Sequence, residues 1–128
     1  MSVTKRMASM SGFRSRNAAT QEQIDKAEHE LEVSFANDYR EYLAEFGCAS
    51  VYGHEFTGIC RAPRLNVVEI TKEQRQLNKS IPSNWYVIEQ GNIDDIVIWQ
   101  NEVGEIFETS PGNLGIKIAN NFLEYIAD

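Results

Sequence analysis

Long apolar runs and a secretory signal are both missing from this sequence. No run approaches the roughly 18 residues that a membrane-spanning helix needs. The N-terminal stretch MSVTKRMASMSGFRSRNAA is small, polar and basic, without the apolar core of a signal peptide. We therefore expect a cytoplasmic protein whose two cysteines, Cys48 and Cys60, are reduced thiols rather than a disulfide.

The sequence motifs of the common small-molecule enzymes are also missing. The chain has no Gly-x-x-x-x-Gly-Lys phosphate loop, no Gly-x-Gly-x-x-Gly dinucleotide motif and no Gly-x-Ser-x-Gly nucleophile motif. No cofactor is expected on this basis. The length of 128 residues and the apolar fraction of 42% fit one domain with its own core.

Acidic residues are missing from residues 1–19, which carry four of the 12 basic residues. We expect this segment to be a disordered basic leader, followed by a single domain over residues 20–128. The remaining 8 basic residues stand against 19 acidic ones, so residues 20–128 carry a charge of −11. Such a field repels nucleic acids and anionic membranes and attracts a basic protein partner. It also keeps a protein soluble, which is the simpler interpretation.

Helix signals begin at Thr20, which forms a capping-box pattern with Gln23. A second helix is expected from Asn37 or Asp38, both good cap residues, to a C-terminal cap at Gly47. Apolar spacing predicts further helices over residues 66–77 and about 115–126.

Between the last two helices, three segments rich in β-branched and aromatic residues predict strands. They lie at residues 85–89, 93–99 and 105–108, and the turn-like stretches between them favour an antiparallel meander. The expected fold is α+β: two N-terminal helices, a mainly antiparallel or mixed sheet, and a C-terminal helix packed on the sheet. Trp85 and Trp99 fit core positions better than a base-stacking or sugar-stacking role.

Cys48, His54 and Cys60 are the best candidates for chemistry. Their even spacing lacks the close ligand pairs of a structural zinc site, and Gly58 stands where a His-Glu-x-x-His motif needs its second histidine. No local feature marks either thiol as an activated nucleophile. The default interpretation is two small buried hydrophobes, and a metal- or thiol-dependent enzyme is the lesser alternative.

A protein-binding surface is the remaining hypothesis. Acidic residues steer the encounter with a basic partner, and aromatic residues supply desolvated contact area. The acids on the second helix could equally be an ordinary solvated face. Asp94 and Asp95 could be a carboxylate pair for magnesium, but adjacent residues on a strand point to opposite faces, so a turn or strand-edge interpretation is preferable. The candidate partner-binding residues are Asp38, Glu41, Glu45, Tyr52, His54, Glu55, Asp94, Asp95, Glu102 and Glu105.

Several short segments resemble the SUKH superfamily, in particular its Smi/Knr-type members. They are Ile24-x-x-Ala27-Glu28-x-x-Leu31, Phe35-Ala36-Asn37-Asp38-Tyr39-x-x-Tyr42-Leu43, Phe46-Gly47, Gly104-Glu105-Ile106-Phe107 and the closing segment 118–126. The second is close to the family's Leu-Pro-x-Asp-Tyr-x-x-Phe-Leu, with Ala36 in place of the proline. At Phe46-Gly47 the family often has Asn-Gly.

The resemblance implies an α+β fold and a role without catalysis. Bacterial members are mainly immunity proteins that neutralise a cognate toxin, often a nuclease or deaminase, and fungal relatives regulate cell-wall synthesis through protein contacts. For this chain it implies a cytoplasmic immunity protein, and the acidic surface expected from the charge suits a basic toxin domain. We expect a monomer or a weak dimer. A regulatory interaction scaffold without a toxin partner is the alternative.

Overall fold

The computed structural model describes residues 2–91 and 95–127, apart from the side chain of Leu114. Within these residues there are five α-helices, seven strands and a short 3₁₀ turn. In chain order they are α1 (Val3–Ala8), β1 (Arg14–Ser15), α2 (Gln21–Leu31), α3 (Asn37–Phe46), β2 (Ala49–Val51), β3 (His54–Glu55), the 3₁₀ turn (Pro63–Leu65), α4 (Val67–Leu77), β4 (Tyr86–Gln90), β5 (Val97–Gln100), β6 (Ile106–Ser110), β7 (Asn113–Ala119) and α5 (Phe122–Ala127).

The strands form two antiparallel sheets. The first has the order β1-β2-β3 and the second the order β4-β5-β6-β7. A single antiparallel bridge between Phe56 and Glu89 joins the edge of one sheet to the edge of the other. The expected α+β fold and the antiparallel meander over β4, β5 and β6 are confirmed.

The C-terminal region departs from the predicted helix over residues 115–126. Residues 113–119 instead form β7, which pairs with β6, and only residues 122–127 are helical. The apolar Ile116 and Ile118 fit a strand period of two as well as a helix period over so short a window. Gly115 has a φ of +126°, a conformation that favours glycine and does not occur in a right-handed helix.

The N-terminal segment is folded, in contrast to the disordered leader that its composition predicts. Val3 and Met7, one helical turn apart, are buried in the core, and α1 contacts α3 and α5. Further along, β1 pairs with β2 through Arg14 opposite Ser50 and Ser15 opposite Ala49. A six-residue helix is unstable in isolation, so its sequence signal is weak and tertiary contacts decide whether it forms.

Helix caps account for the bounds of α2 and α4. The Thr20 hydroxyl accepts from the Gln23 N–H, and the Gln23 side chain accepts from the Thr20 N–H, which confirms the capping box. Asn66 caps α4 by accepting from the N–H groups of Val68 and Glu69. Because these caps satisfy backbone donors locally, both helix starts could be predicted from the sequence.

Two clusters of apolar side chains fill the core. The larger is rich in aromatic rings, with Phe122 packed edge-on against Tyr42 and Phe56. The smaller contains Trp85 and Trp99 beneath α4, and the Trp99 indole donates to the Thr109 hydroxyl at 2.9 Å. Both tryptophans are therefore core residues, as expected. Of the helices in residues 2–91 and 95–127, none is both long and apolar enough to cross a bilayer.

Candidate functional site

Asp38 holds three elements together. Its two carboxylate oxygens accept from the Gln100 side chain and from the backbone N–H of Phe122, both at 2.9 Å. It therefore ties α3 to β5 and satisfies a donor at the start of α5, whereas the observed N-cap of α3 is Ala36. This internal use of the carboxylate explains why Asp38 is not the cap of its own helix.

Glu41 and Glu45 lie further along the exposed side of α3. Glu41 accepts a hydrogen bond of 3.1 Å from the Thr4 hydroxyl of α1. The folded N-terminal helix thus lies against this side of α3. Of the predicted row of three acids, one ties elements together, one contacts α1 and Glu45 faces solvent.

Tyr52 and Glu55 lie on the hairpin between β2 and β3. Tyr52 is 85% exposed, the highest fraction among the large apolar side chains. Glu55 forms a two-pronged ion pair with Arg64, with N–O distances of 2.6 and 3.1 Å. The Arg64 guanidinium lowers the pKa of the Glu55 carboxyl. The hairpin therefore presents one aromatic ring, while its carboxylate is already occupied.

His54 belongs to a cluster with Glu89 and Tyr125. Its Nδ1 lies 2.9 and 3.0 Å from the two carboxylate oxygens of Glu89, and the Tyr125 hydroxyl donates to the same carboxylate. Glu89 is only 6% exposed. The hydrogen bond to Glu89 raises the pKa of His54, and burial opposes that shift. Burial and the Glu89 charge raise the pKa of Tyr125.

The His54–Glu89 pair predicts a pH-dependent contribution to stability. Because the pKa of His54 is higher in the folded state, the contribution is complete below the unfolded pKa of about 6.5 and is lost as pH rises through the folded pKa. The free-energy difference between the wild type and His54→Gln should therefore shrink by up to about 1 kcal/mol between weakly acid and weakly alkaline pH. Urea unfolding across that range measures it. His29→Gln, at an exposed histidine, is the control. A free-energy difference between the wild type and His54→Gln that grows with pH would contradict the role given to the His54–Glu89 pair.

The alternative based on Cys48, His54 and Cys60 finds no support in the geometry. The Cys48 thiol donates to the Phe56 carbonyl, and burial raises its pKa to about 12, so it is not a thiolate at neutral pH. The hydrogen bonds described for His54 go to Glu89 rather than to either thiol. Among residues 2–91 and 95–127, no group of three or more His, Cys, Asp or Glu side chains is placed to hold a metal ion.

Asp95, Glu102 and Glu105 lie at the two ends of β5. Asp95 is exposed before the strand and has a left-handed φ of +54°, whereas Glu102 and Glu105 follow the strand at its other end. Glu105 accepts from Lys117 and from Asn101, each at 2.9 Å. Asp94 lies outside the described residues. Asp95 therefore does not share one surface with Glu102 and Glu105.

Glu102 lies in a groove that the sequence did not single out. Two clefts of about 660 Å³ each meet at Ser34 and Glu102, between the α2–α3 connection and the β5–β6 turn. Together they are lined by five carboxylates and one guanidinium, a net charge of −4. We call this surface the acidic groove; its charged residues are Glu28, Glu30, Glu32, Asp38, Arg40 and Glu102.

Two of the groove carboxylates are available to a ligand. Glu28 is bound by Arg40 at 2.7 Å, and Glu30 lies 3.7 Å from Lys72. The carboxylates of Glu32 and Glu102 are exposed, accept no hydrogen bond and form no ion pair within the part of the chain that the structure describes. Beside them, Val103 is 72% exposed. The groove thus offers unneutralised negative charge next to an apolar contact.

Several of these residues escaped sequence-based prediction. Glu28, Glu30 and Glu32 lie in the stretch KAEHELE, whose local density of acids is the one available signal. Val103 lies in the turn-like stretch between two of the predicted strands. Glu89 stands in an apolar strand, where a lone acid indicates a buried partner. The sequence contains these residues, but their proximity depends on how the β5–β6 turn meets the α2–α3 connection.

A comparison with known protein families gave a match over nearly the whole chain. The SUKH family model described as SMI1-KNR4 cell-wall matches residues 4–128, which includes most of α1. A comparison with curated proteins gave no match. The match spans the helix pair, both sheets and the C-terminal helix, and it confirms the resemblance carried by the Asp38-Tyr39 segment. This chain belongs to the SUKH superfamily, in its SMI1-KNR4 cell-wall family.

Proposed function

We propose that this protein is a cytoplasmic immunity protein that binds and neutralises a cognate bacterial toxin of the nuclease or deaminase type. Family membership is consistent with a protein-interaction role rather than catalysis. The observation that carries the proposal is the acidic groove, where Glu32 and Glu102 stand unneutralised beside the exposed Val103. A toxin that acts on nucleic acid presents a basic surface, which such a groove complements.

The mechanism is occlusion. Carboxylates of the groove take the place of substrate phosphates on the toxin's basic surface, and Val103 supplies desolvated contact area at the centre. Long-range attraction speeds the encounter, because the chain carries a net charge of −7. No chemical step is required of the immunity protein, since covering the substrate channel is sufficient.

Capture followed by rescue tests the proposal. The tagged protein is incubated with lysate of the native organism, and retained proteins are identified by mass spectrometry. A retained basic domain is then expressed alone and together with this protein. Growth arrest in the first case and normal growth in the second support immunity. A captured domain that is harmless alone, or whose toxicity this protein leaves unchanged, contradicts it.

Charge reversal locates the binding surface. Glu32→Lys/Glu102→Lys should weaken affinity for the captured toxin by about tenfold or more, because the two new lysines then repel the toxin's basic surface. Isothermal titration calorimetry measures the change. The matched control, Glu41→Lys/Glu45→Lys, makes the same change of net charge on α3. If the α3 pair loses affinity and the groove pair does not, the groove is not the interface.

A regulatory scaffold is the second candidate, because the matching family is described by its cell-wall members. In that case the groove binds an endogenous basic protein that is not toxic when expressed alone. The same capture and rescue experiment separates the two functions.

A further inference from the structure

Four arginines of this acidic chain lie close together on one surface. A cleft of about 300 Å³ is lined by Arg14 and Arg16, and an adjoining cleft of about 790 Å³ is lined by Arg16 and Arg61. Arg64 lies beside the smaller cleft, because it forms an ion pair with Glu55, which lines that cleft. We call Arg14, Arg16, Arg61 and Arg64 the arginine patch; it contains four of the 12 basic residues.

Tertiary structure assembles the patch from two distant segments. Arg14 and Arg16 are two residues apart on an extended segment, so their side chains project to the same side. Pairing with β2 fixes that segment, with Arg14 opposite Ser50 and the Arg16 N–H donating to the Cys48 carbonyl at 2.9 Å. The loop after β3 then brings the other two arginines alongside.

The charge of the patch is largely unneutralised. Arg64 is bound by Glu55, the one carboxylate among the described residues that line the two clefts. Arg14, Arg16 and Arg61 are exposed and form no ion pair with any residue in the described ranges. The patch therefore keeps a net charge of +3. Its own internal partner shows that a carboxylate fits the forked guanidinium here.

We propose that the arginine patch binds an acidic segment of a polypeptide. The charges lie along two clefts that meet at Arg16, so one small anion reaches only part of them, whereas an extended chain with several carboxylates reaches all. Exposed ion pairs are individually weak, so useful affinity needs several at once. This surface is distinct from the acidic groove and binds a partner of opposite charge.

The surroundings favour a polypeptide over a nucleic acid. The whole chain carries −7, which repels a long polyanion outside the patch. Within the described residues, neither cleft is lined by an aromatic ring on which a base could stack. Ser15 and Ser50 add hydroxyl groups, and Leu65 adds an apolar contact, which suit mixed acidic and small apolar side chains.

The test uses the full chain and a fluorescein-labelled peptide of alternating glutamate and alanine, followed by fluorescence anisotropy at low salt. Arg14→Gln/Arg16→Gln should weaken binding about tenfold. Both side chains are exposed, so the thermal midpoint should not change; circular dichroism checks this. Lys72→Gln/Lys79→Gln, on and beyond α4, makes the same change of net charge and should leave binding unchanged.

Four outcomes overturn the proposal. One is no binding of the acidic peptide at low salt. A second is an equal loss of peptide affinity in the arginine and the lysine double variants, which indicates a general charge effect. A third is full displacement of the peptide by inorganic phosphate at the same anion concentration, which indicates a single-anion site. The fourth is tighter, equally arginine-dependent binding of a single-stranded oligonucleotide, which assigns the patch to nucleic acid.

Discussion

Gly58→Ala should lower the free energy of unfolding by at least about 4 kcal/mol, a loss that few single substitutions reach. A Cβ at this position would lie 2.0 Å from the Gly47 carbonyl oxygen and 2.8 Å from the Cys48 Cα. Both are backbone atoms that cannot rotate away. The same oxygen accepts from the Ile59 N–H at 2.8 Å, so moving it also breaks a hydrogen bond.

Gly58 is placed where three backbone segments cross. Its N–H donates to the Leu65 carbonyl and its carbonyl accepts from the Val67 N–H, each at 2.8 Å. Residues 47 and 48, just before β2, lie on one side of Gly58, and the start of α4 lies on the other side. Because interiors are close-packed, neither side can yield by the ångström or more that a methyl group requires.

Urea and thermal unfolding measure this loss, and Gly53→Ala is the matched control. Gly53, unlike Gly58, has a positive φ, +86°, but a Cβ there meets nothing within 4 Å. Its substitution should cost only about 1 kcal/mol of backbone strain. Equal losses in the two variants would show that contact with residues 47 and 48 is not the cause.

Tyr42→Phe should lower the free energy of unfolding by about 2–4 kcal/mol, although it removes a single oxygen atom. The fully buried Tyr42 hydroxyl donates to the Thr57 carbonyl at 2.6 Å and accepts from the Ala49 N–H at 2.9 Å. Phenylalanine leaves a buried acceptor and a buried donor without this partner. Burial also raises the pKa of Tyr42 well above its ordinary value, so the hydroxyl stays protonated and able to donate.

Tyr52→Phe is the control for Tyr42→Phe, because it removes the same atom from a side chain that is 85% exposed. Its effect should stay within about 0.5 kcal/mol. Chemical denaturation of both variants gives the comparison. A loss in Tyr42→Phe no larger than in Tyr52→Phe would mean that water or a backbone shift satisfies the two groups.

Both predictions concern contacts of the stretch CASVYGHEFTGIC, which holds both cysteines and His54. Gly58 belongs to this stretch, and the Tyr42 hydroxyl bonds to Thr57 and Ala49 within it. The structure gives its residues packing and hydrogen-bonding roles: Cys48 donates to a carbonyl, His54 pairs with Glu89 and Gly58 admits two other segments. Its ends are anchored to α3 by Tyr42 and to the second sheet by the Phe56–Glu89 bridge. The stretch therefore connects the helix layer to the sheets.

Features with local causes were predicted correctly. The capping box at Thr20, the positive-φ cap at Gly47 and the strand–turn pattern of the meander all depend on neighbouring residues in the chain. The sequence also determined the family, since the Asp38-Tyr39 segment and the closing segment are readable without coordinates. The C-terminal helix was overextended, because Ile116 and Ile118 fit both periods until pairing with β6 decides between them.

Features with distant causes could not be predicted. Asp38 has the pattern of a cap or a surface acid, and only the arrival of Gln100 and Phe122 makes it an internal ligand. The composition of the basic N-terminus predicts a leader, whereas in the structure this segment packs against α3, α5 and β2. The candidate partner-binding residues remain a prediction, and two of them, Asp38 and Glu102, line the acidic groove.

The sequence by itself determined the starts of α2 and α4, the strand-rich middle, the strong acidic charge and the family of this protein. The tertiary structure alone decided which charges stand together: Glu32 with Glu102 in one groove, and Arg16 with Arg61 across two clefts. The physical reason is range. Caps and periodicity act within a few residues, whereas a binding surface is made of side chains far apart in the chain, and their proximity exists only after the core has packed.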